Sequence, residues 1–351
     1  MPANRLVIAL LATAATITTN QLANAGTIRH DRTDTQYRTL ANSFNSVGSL
    51  SLRGSTSSWN CSGTLIGSNY LLTAAHCLED SAGRNLTSGT FTLGGTRYTI
   101  RSGVKNSGWS TSNRNPTAGY DMAILQLSSN VTNVSAANLF TGTNENSQTG
   151  TYVGFGFRGT GTTGQVANTF GTKRAGQNIM NLGSQLGWSD QVLWSDFTDP
   201  RTNPNALNLE YNIASGDSGG GLFINGLLAG VNSVIQNANL NSMWADYGDR
   251  SLVTRVSSLN NWIQNVVQTG FPSSGITTAS NPTSSTTTNS LNAVAISDES
   301  NALDESNALD ELMDITLYDD VYSNTKVPEP SAILGLAFLC GFFLRKKAYS
   351  K

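Results

Sequence analysis

Short apolar runs separated by glycine, serine and asparagine recur along most of the chain. In GTLIGSNYLLTA (residues 63–74), two such runs flank a Gly67-Ser68-Asn69 turn, a pattern that predicts a hairpin of two strands. A further strand is predicted over YDMAILQL (residues 120–127), where Asp121 precedes an apolar run. The pattern therefore indicates a protein built mainly from β-strands.

A helical pattern follows this β-rich region. Within residues 257–268, apolar residues recur at spacings of three and four, with Ser257 or Ser258 as the N-cap. The spacing predicts a helix that packs one face on the core and closes the domain. The apolar positions are Leu259, Trp262, Ile263, Val266 and Val267.

Composition agrees with this interpretation. The chain has 351 residues, of which 38% are hydrophobic and only 13% charged, and it contains 34 glycines. These proportions allow a sizeable core and favour many short strands over charged surface helices. The net charge is −2, and the sequence has no basic stripe, so a nucleic-acid partner is not expected.

The first 25 residues have the features of a secretory signal peptide. Arg5 is followed by an apolar stretch at residues 6–17 and then by Ala23-Asn24-Ala25, a small-residue cleavage site. We expect signal peptidase to cut after Ala25. A buried N-terminal helix is the alternative.

The last residues also resemble a targeting signal. A Pro-Glu-Pro triplet (residues 328–330) precedes an apolar run at residues 332–344 and a basic cluster at residues 345–347. This arrangement resembles the PEP-CTERM sorting signal of Gram-negative bacteria, here over residues 326–351. The resemblance implies cleavage by an exosortase-like enzyme and membrane contact through this segment until the cut. A generic C-terminal anchor or a loosely packed core helix remains open.

Residues 272–325 are expected to form a disordered linker. They are rich in serine and threonine, carry nine acidic and no basic residues, and repeat the unit DESNAL at residues 298–309. So few apolar residues cannot offset the entropy lost on ordering. The expected domains are therefore a signal peptide (1–25), a globular domain (26–271), this linker and the sorting segment.

Three cysteines allow a simple assignment. Cys340 lies in the C-terminal apolar run, which leaves Cys61 and Cys77 in the globular domain. In an oxidising compartment outside the cytoplasm we expect these two to form a disulfide. Metal binding by His76 and Cys77 is the alternative, but no further cluster supplies the other ligands.

The order of candidate catalytic residues narrows the chemistry. ASGDSGGG (residues 214–221) places Ser218 among glycines and also fits the nucleophile elbow of α/β-hydrolases. Those enzymes need a histidine after the serine, but the two histidines are His30 and His76. A subtilisin-like order would use Asp31 or Asp34, without the alternating helices and strands of that fold. The order His76, Asp121, Ser218 remains.

Together, TAAHC (residues 73–77), YDMAILQL and GDSGG (residues 216–220) resemble the trypsin-like, chymotrypsin-fold serine proteases over residues 42–268. The resemblance implies an all-β fold of two packed antiparallel six-stranded barrels with a C-terminal helix. It also implies that His76, Asp121 and Ser218 form a catalytic triad, with the N–H groups of Gly216 and Ser218 as the oxyanion hole. The expected substrate is a polypeptide, and no cofactor or metal is expected.

The same resemblance suggests how the substrate is bound. Asn212 falls at the base of the primary specificity pocket. Ser233, at the position beside the triad, and Ile235 lie on the strand along the wall of that pocket. Because Asn212 is uncharged, cleavage after Lys or Arg is not supported, although Glu210 lies nearby in the sequence.

The resemblance also bears on how the protein would be activated by proteolytic processing. Asp217 matches the carboxylate that pairs with a new N-terminal amine in the family. The usual activation sequence is missing, so either signal peptidase exposes a terminus near Gly26 or a second cut frees Ile28. We therefore expect a secreted or envelope-associated serine endopeptidase of a Gram-negative bacterium. The alternatives are an inactive protease-like binding or adhesion module and, less favoured, an esterase.

Overall fold

Strands make up most of the described part of the molecule. A computed structural model describes residues 26–271 and 275–281, so the expected signal peptide, residues 282–325 of the expected linker and the sorting segment lie outside the described residues. Within the described part, no helix is long and apolar enough to span a membrane.

The strands in the first half of the chain are β1 (Gly26–Ile28), β2 (Val47–Arg53), β3 (Ser58–Leu65), β4 (Tyr70–Thr73), β5 (Ser88–Leu93), β6 (Thr96–Asn106) and β7 (Ala123–Leu127). The later strands are β8 (Thr149–Gly154), β9 (Arg158–Thr160), β10 (Gly164–Val166), β11 (Arg174–Ile179), β12 (Asn181–Leu182), β13 (Val192–Asp196), β14 (Tyr211–Asn212), β15 (Gly221–Ile224), β16 (Leu227–Gln236), β17 (Arg250–Arg255) and β18 (Gly275–Ala279). The helices are α1 (Asp34–Ala41), α2 (Ser107–Thr111) and α3 (Asn260–Thr269), and short 3-10 turns lie at His76–Leu78, Pro116–Ala118, Gly183–Leu186 and Ser257–Leu259.

Strands β2 to β7 form a closed antiparallel barrel. Their order is β6-β5-β2-β3-β4-β7, and an additional pairing between β6 and β7 closes it. Closure is possible because β6 is 11 residues long and pairs with β5 near its start and with β7 near its end. Alternate strand residues fill the interior, among them the fully buried Leu50, Leu65, Leu71 and Phe91.

The predicted hairpin and disulfide are both present in this barrel. Strand β3 pairs with β4 on either side of the 67–69 turn, with Thr64 opposite Leu72. Cys61 is bonded to Cys77 in the 3-10 turn that follows β4. The bridge and the hairpin therefore fix the segment that carries His76.

The second half is a curled sheet that does not close. Its order is β11-β8-β15-β16-β17-β13-β12, and no strand pairing among the described residues joins β11 to β12. The fold class of two packed antiparallel β-barrels is confirmed, but this half has seven strands and an open seam. Strand β14 lies outside this sheet and pairs with the N-terminal β1.

The C-terminal helix was predicted correctly, but its cap was not. Helix α3 follows a 3-10 turn, and Trp262, Ile263 and Val266 are buried against the core of the first barrel. Neither serine caps it. The Ser257 hydroxyl donates to Glu145 over 2.6 Å, and the Ser258 hydroxyl donates to the Arg255 carbonyl over 2.8 Å. Ser257 therefore bonds a distant residue and Ser258 a local carbonyl, and neither hydroxyl caps the helix.

Residues 275–281 lie in the segment expected to be a linker, and Gly275–Ala279 form strand β18. Strand β18 lies parallel to the end of β6, with Gly275 opposite Ser102 and Ala279 opposite Asn106. Strand β5 covers only the start of β6, so the end of β6 has a free edge, and backbone pairing there needs few apolar side chains. The Trp262 indole N–H also donates to the Ala279 carbonyl over 3.0 Å.

Candidate active site

His76 lies in the 3-10 turn directly after β4. Its ring Nδ1 is 2.7 Å from Oδ2 of Asp121, and its backbone N–H donates to Oδ1 of the same carboxylate over 3.0 Å. Two contacts to one carboxylate fix both the backbone and the ring of His76. The Nδ1 contact makes Nδ1–H the favoured tautomer, which leaves Nε2 as the proton acceptor.

Asp121 lies just before β7 and is completely buried. Ser233 donates its hydroxyl to Oδ2 of Asp121 over 2.6 Å. Burial alone would raise the pKa of Asp121, but the nearby His76 charge and the hydrogen bonds from His76 and Ser233 outweigh burial and lower that pKa. The carboxylate is therefore held ionised inside the protein.

Ser218 lies in the turn between β14 and β15, next to Gly219. Gly219 has a φ of +80°, and a Cβ there would lie 2.1 Å from Oγ1 of Thr73 at the end of β4. The turn can therefore approach the His76 segment closely only with glycine at this position. The Ser218 hydroxyl donates to the Ser233 carbonyl over 3.3 Å.

Ser233 thus contacts two of the three predicted catalytic residues. Its carbonyl accepts from Ser218, while its hydroxyl donates to Asp121, which holds the His76 ring. The structure therefore brings together side chains that are 45 and 97 positions apart in the chain. Ser233 was expected on the wall strand at the position beside the triad, and its side chain contacts the Asp121 carboxylate.

The turn before Ser218 is supported by a residue that the sequence did not reveal. Ser62 in β3 donates its hydroxyl to the Gly216 carbonyl over 2.8 Å and accepts from the Phe155 N–H over 3.0 Å. Gly216 has a φ of +93°, and a Cβ there would lie 2.6 Å from the Phe170 ring. These contacts fix the peptide groups of residues 216–218. Ser62 follows a cysteine in an ordinary strand, so no sequence signal marked it.

Asp217 points away from this turn into the protein. Its carboxylate accepts hydrogen bonds from the backbone N–H groups of Gly156 (2.7 Å) and Ala214 (2.9 Å) and from the Tyr211 hydroxyl (2.9 Å). Burial raises the pKa of Asp217 to about 6, although these donors act in the opposite direction. Tyr211 is a further partner that the sequence did not single out.

Asn212, the expected pocket base, is completely buried. Its Oδ1 accepts from the Ser251 hydroxyl, and Ser251 accepts from the Ile213 N–H over 3.0 Å. Within the described part of the chain, the side-chain nitrogen of Asn212 has no hydrogen-bond partner. Ile235 lies on β16 after an irregularity in the β16–β17 pairing that spans Asn232 to Ile235. The environment around Asn212 is therefore polar and uncharged.

No contact among the described residues joins the Glu210 carboxyl group to the Asn212 side chain. Its Oε1 accepts from the N–H (3.0 Å) and the hydroxyl (2.5 Å) of Thr198. Burial raises the pKa of Glu210, with the Thr198 hydrogen bonds opposing that rise. The second histidine, His30, lies elsewhere: its Nδ1 is 2.9 Å from the Tyr247 hydroxyl.

A metal site is not formed by the cysteine and histidine pair of the sequence. Among the described residues, Cys61, His76 and Cys77 bring ligand atoms within 4.8 Å of one another. Both sulfurs are consumed by the disulfide, so they are not available as thiolate ligands.

Comparisons with known proteins identify the family and support the fold. The family model described as Trypsin matches residues 35–263. A chymotrypsin of Phaedon cochleariae is 28% identical over 227 residues, which cover 59% of this chain and 72% of that protein. A solved structure of HL collagenase has a TM-score of 0.50 and 20% identity, over 71% of this chain and all of that one, and it supports the fold. A Glu endopeptidase in complex with MPD gives a TM-score of 0.46 at 16% identity, over 65% and 92% of the two chains.

Proposed function

The chain belongs to the trypsin family of serine proteases, and we propose that it is an exported endopeptidase that cleaves peptide bonds through an acyl-enzyme. The observation that carries the proposal is the shared contact of Ser218 and Asp121 with Ser233, with the His76 ring on the same carboxylate. A hydroxyl, an imidazole and a buried carboxylate so connected can act as nucleophile, base and orienting acid.

In the acylation step, the Ser218 oxygen attacks the carbonyl carbon of the scissile peptide while its proton passes to Nε2 of His76. The proton on Nδ1 stays on the ring, and Asp121 stabilises the imidazolium that forms. The new oxyanion is stabilised by the N–H groups of Gly216 and Ser218. Collapse of this intermediate expels the amine, which takes the proton from His76, and leaves the acyl group on Ser218.

In the deacylation step, water attacks the acyl carbonyl and gives one proton to His76. The second collapse returns that proton to the Ser218 oxygen and releases the carboxylic acid product. Each proton taken by His76 is therefore given back, and the residues end in their starting state.

The pocket contacts support a preference for uncharged side chains before the scissile bond. The Asn212–Ser251 pair is neutral. Glu210 bonds Thr198 through Oε1 only, and burial raises the pKa of Glu210, which opposes a negative charge on this carboxyl group. An unpaired Lys or Arg head group would lose its hydration there without a countercharge. A peptide-library cleavage profile tests this preference, and cleavage mainly after Lys or Arg would contradict it.

Export and maturation belong to the same proposal. A disulfide such as Cys61–Cys77 persists in oxidising compartments, which supports the expected signal peptide and an envelope or secreted location. We take processing by signal peptidase and an exosortase-like enzyme as part of this proposal. Cell fractionation with N- and C-terminal sequencing of the mature protein tests it.

Signal peptidase itself can expose the activating terminus. Gly26 is buried in β1, opposite Arg158, and a Cβ at this position would lie 1.9 Å from the Tyr211 hydroxyl. Tyr211 in turn donates to Asp217. A cut after Ala25 would place a new amine close to this pair. A terminus at Ile28 would instead remove the strand pairs of Gly26 and Thr27, so the first route is favoured.

A fluorophosphonate probe, which reacts with an activated serine, tests the catalytic proposal. We expect labelling of the mature protein, and loss of labelling in Ser218→Ala and in His76→Ala. The catalytic rate should fall roughly 10⁴-fold in each variant. His30→Gln is the matched control, since it changes the only other histidine and should label normally. Correctly processed wild-type protein that is not labelled would favour the binding-module alternative.

A further inference from the structure

A buried carboxylate lies close behind the His76 segment. Glu79 follows the 3-10 turn that carries His76, and only 3% of its side chain is exposed. Its Oε2 accepts from Nζ of Lys105 over 2.5 Å, and its Oε1 accepts from Nε of Arg114 over 2.6 Å and from the Trp109 indole N–H over 2.8 Å. We call these four residues the Glu79 cluster.

Trp109 connects this cluster to the catalytic histidine. Its side chain is fully buried, and its ring centroid lies 6.3 Å from that of His76, with the ring planes tilted by 50°. Rings at this distance are in contact range. Because the indole N–H is bonded to Glu79, the indole cannot rotate without breaking a hydrogen bond to a buried carboxylate. The plane of the indole is therefore fixed where it meets the imidazole.

The backbone around Trp109 is shaped to maintain this arrangement. Asn106 caps α2 by accepting from the Gly108 N–H over 2.9 Å, and the Arg114 N–H donates to the Trp109 carbonyl over 2.8 Å. Asn113 and Arg114 both adopt left-handed conformations, with φ of 55° and 60°. Non-glycine residues rarely adopt this conformation, and such residues persist only where surrounding contacts hold them. The strained turn brings the Arg114 guanidinium back to Glu79.

Burying charges at this place is not the simplest way to gain stability. Well-packed apolar residues often replace a buried ion pair without loss, so the charges of Glu79 and Lys105 call for a geometric reason. The cluster supplies one, because a short charged hydrogen bond defines direction more sharply than apolar packing does. The sequence offered no hint of it, since the four residues are spread over 36 positions with no motif.

We propose that Glu79 is a positioning residue that acts through Trp109 to hold the His76 ring in its productive orientation. This inference rests on the proposed function. Asp121 fixes the ring at Nδ1, and Trp109 limits its tilt about that hydrogen bond. Neither Glu79 nor Trp109 takes part in the transfer of protons; together they keep Nε2 directed to the Ser218 hydroxyl.

The test compares two buried carboxylates in the full mature protein. Glu79→Gln places an amide NH₂ against one of the donors of the cluster, and Trp109→Phe removes the indole N–H. Glu145→Gln is the matched control, because Glu145 is also fully buried and its oxygens accept from Arg255 and Ser257 without contacting His76, Asp121 or Ser218. Melting temperature, kcat and KM are measured for each protein on a peptide substrate.

We expect kcat to fall roughly tenfold in Glu79→Gln and in Trp109→Phe with little change in KM, a fraction of the hundredfold loss that a 1 Å misplacement can cause. Glu145→Gln should lose comparable melting temperature but keep kcat. If Glu79→Gln and Glu145→Gln lower melting temperature and kcat in parallel, or if both cluster variants keep kcat, the positioning role is refuted.

A second measurement does not depend on catalysis. The chain has two histidines. An imidazole N–H resonance that remains in the NMR spectrum of His30→Gln can therefore be assigned to Nδ1–H of His76. We expect this resonance to broaden and exchange faster with water in Trp109→Phe than in Glu145→Gln. An unchanged resonance overturns the inference. If the wild type does not react with the fluorophosphonate, the proposed function is refuted instead. The NMR measurement would still decide the role of Trp109.

Discussion

The Ser233 hydroxyl donates a 2.6 Å hydrogen bond to the Asp121 carboxylate, 112 positions away in the chain. This bond joins the two halves of the molecule, because Asp121 precedes the last strand of the closed barrel and Ser233 lies on β16 of the curled sheet. The site therefore depends on how the two halves pack.

Replacement of Ser233 by alanine should shift the acid limb of the activity profile. The variant loses a hydrogen bond to a charged group, roughly 1.5–3 kcal/mol. The pKa of Asp121, which this bond helps to lower, should rise when the bond is removed. Activity should consequently be lost at a higher pH as the solution is acidified. The measurement is kcat/KM against pH, and an acid limb identical to that of the wild type would contradict the assigned role of the hydroxyl.

The mature protein should begin at Gly26. Any side chain at position 26 would overlap the Tyr211 ring, so Gly26→Val should prevent docking of β1 and lower the rate of fluorophosphonate labelling. Because strand β1 and its docking would be lost while the triad remained, we expect a loss of roughly 10- to 100-fold.

The control for this prediction is Ile28→Val, a small core truncation costing about 0.5–1.5 kcal/mol, which should label normally. N-terminal sequencing gives the direct answer. A mature terminus at Ile28, or full labelling of Gly26→Val, would show that activation takes another route.

Asp249 should make the fold less stable as the pH rises. Burial and the charge of Asp246 raise the pKa of Asp249 from its ordinary value of 3.8 to about 7. Between these values the folded state holds a proton that the unfolded chain releases, so stability declines from about pH 4 to about pH 7 and is then constant. Asp249→Asn should therefore raise the melting temperature at pH 8 but not at pH 4.

The expected gain at pH 8 is about 1–2 kcal/mol, or roughly 2–8 °C for a domain of this size. The double variant with Asp246→Asn provides the check. Without the charge of Asp246, the pKa of Asp249 should fall and the gain from Asp249→Asn should shrink. An equal gain at pH 4 and pH 8 would contradict this explanation.

Strand β18 should contribute to stability although it lies in the segment expected to be a linker. A chain ending after residue 281 keeps the pairing with β6 and the bond from Trp262 to Ala279, whereas a chain ending after residue 271 loses both. We expect the shorter chain to unfold at a lower urea concentration, with a loss of about 1–3 kcal/mol from several backbone hydrogen bonds. Equal midpoints would show that the strand is not needed.

Features with a local physical cause could be predicted from the amino-acid sequence. Alternating and clustered apolar residues specified the hairpin before His76, and a 3.6-residue period specified α3. The globular region has two cysteines, so only one disulfide was possible within it. The chain has two histidines, and the order of the motifs selected His76 as the candidate base. Three short motifs in one order were sufficient for the family.

Only the tertiary structure decided the contacts between distant segments. The Ser233 bond to Asp121, the Ser62 support of Gly216 and the Glu79 cluster all join residues from different strands or turns, with no pattern in the chain that links them. Ser257 likewise bonds Glu145, 112 positions away, and does not cap the helix. A hydrogen bond forms wherever folding brings donor and acceptor together, and that is decided by the packing of the whole chain and not by the neighbours of each residue.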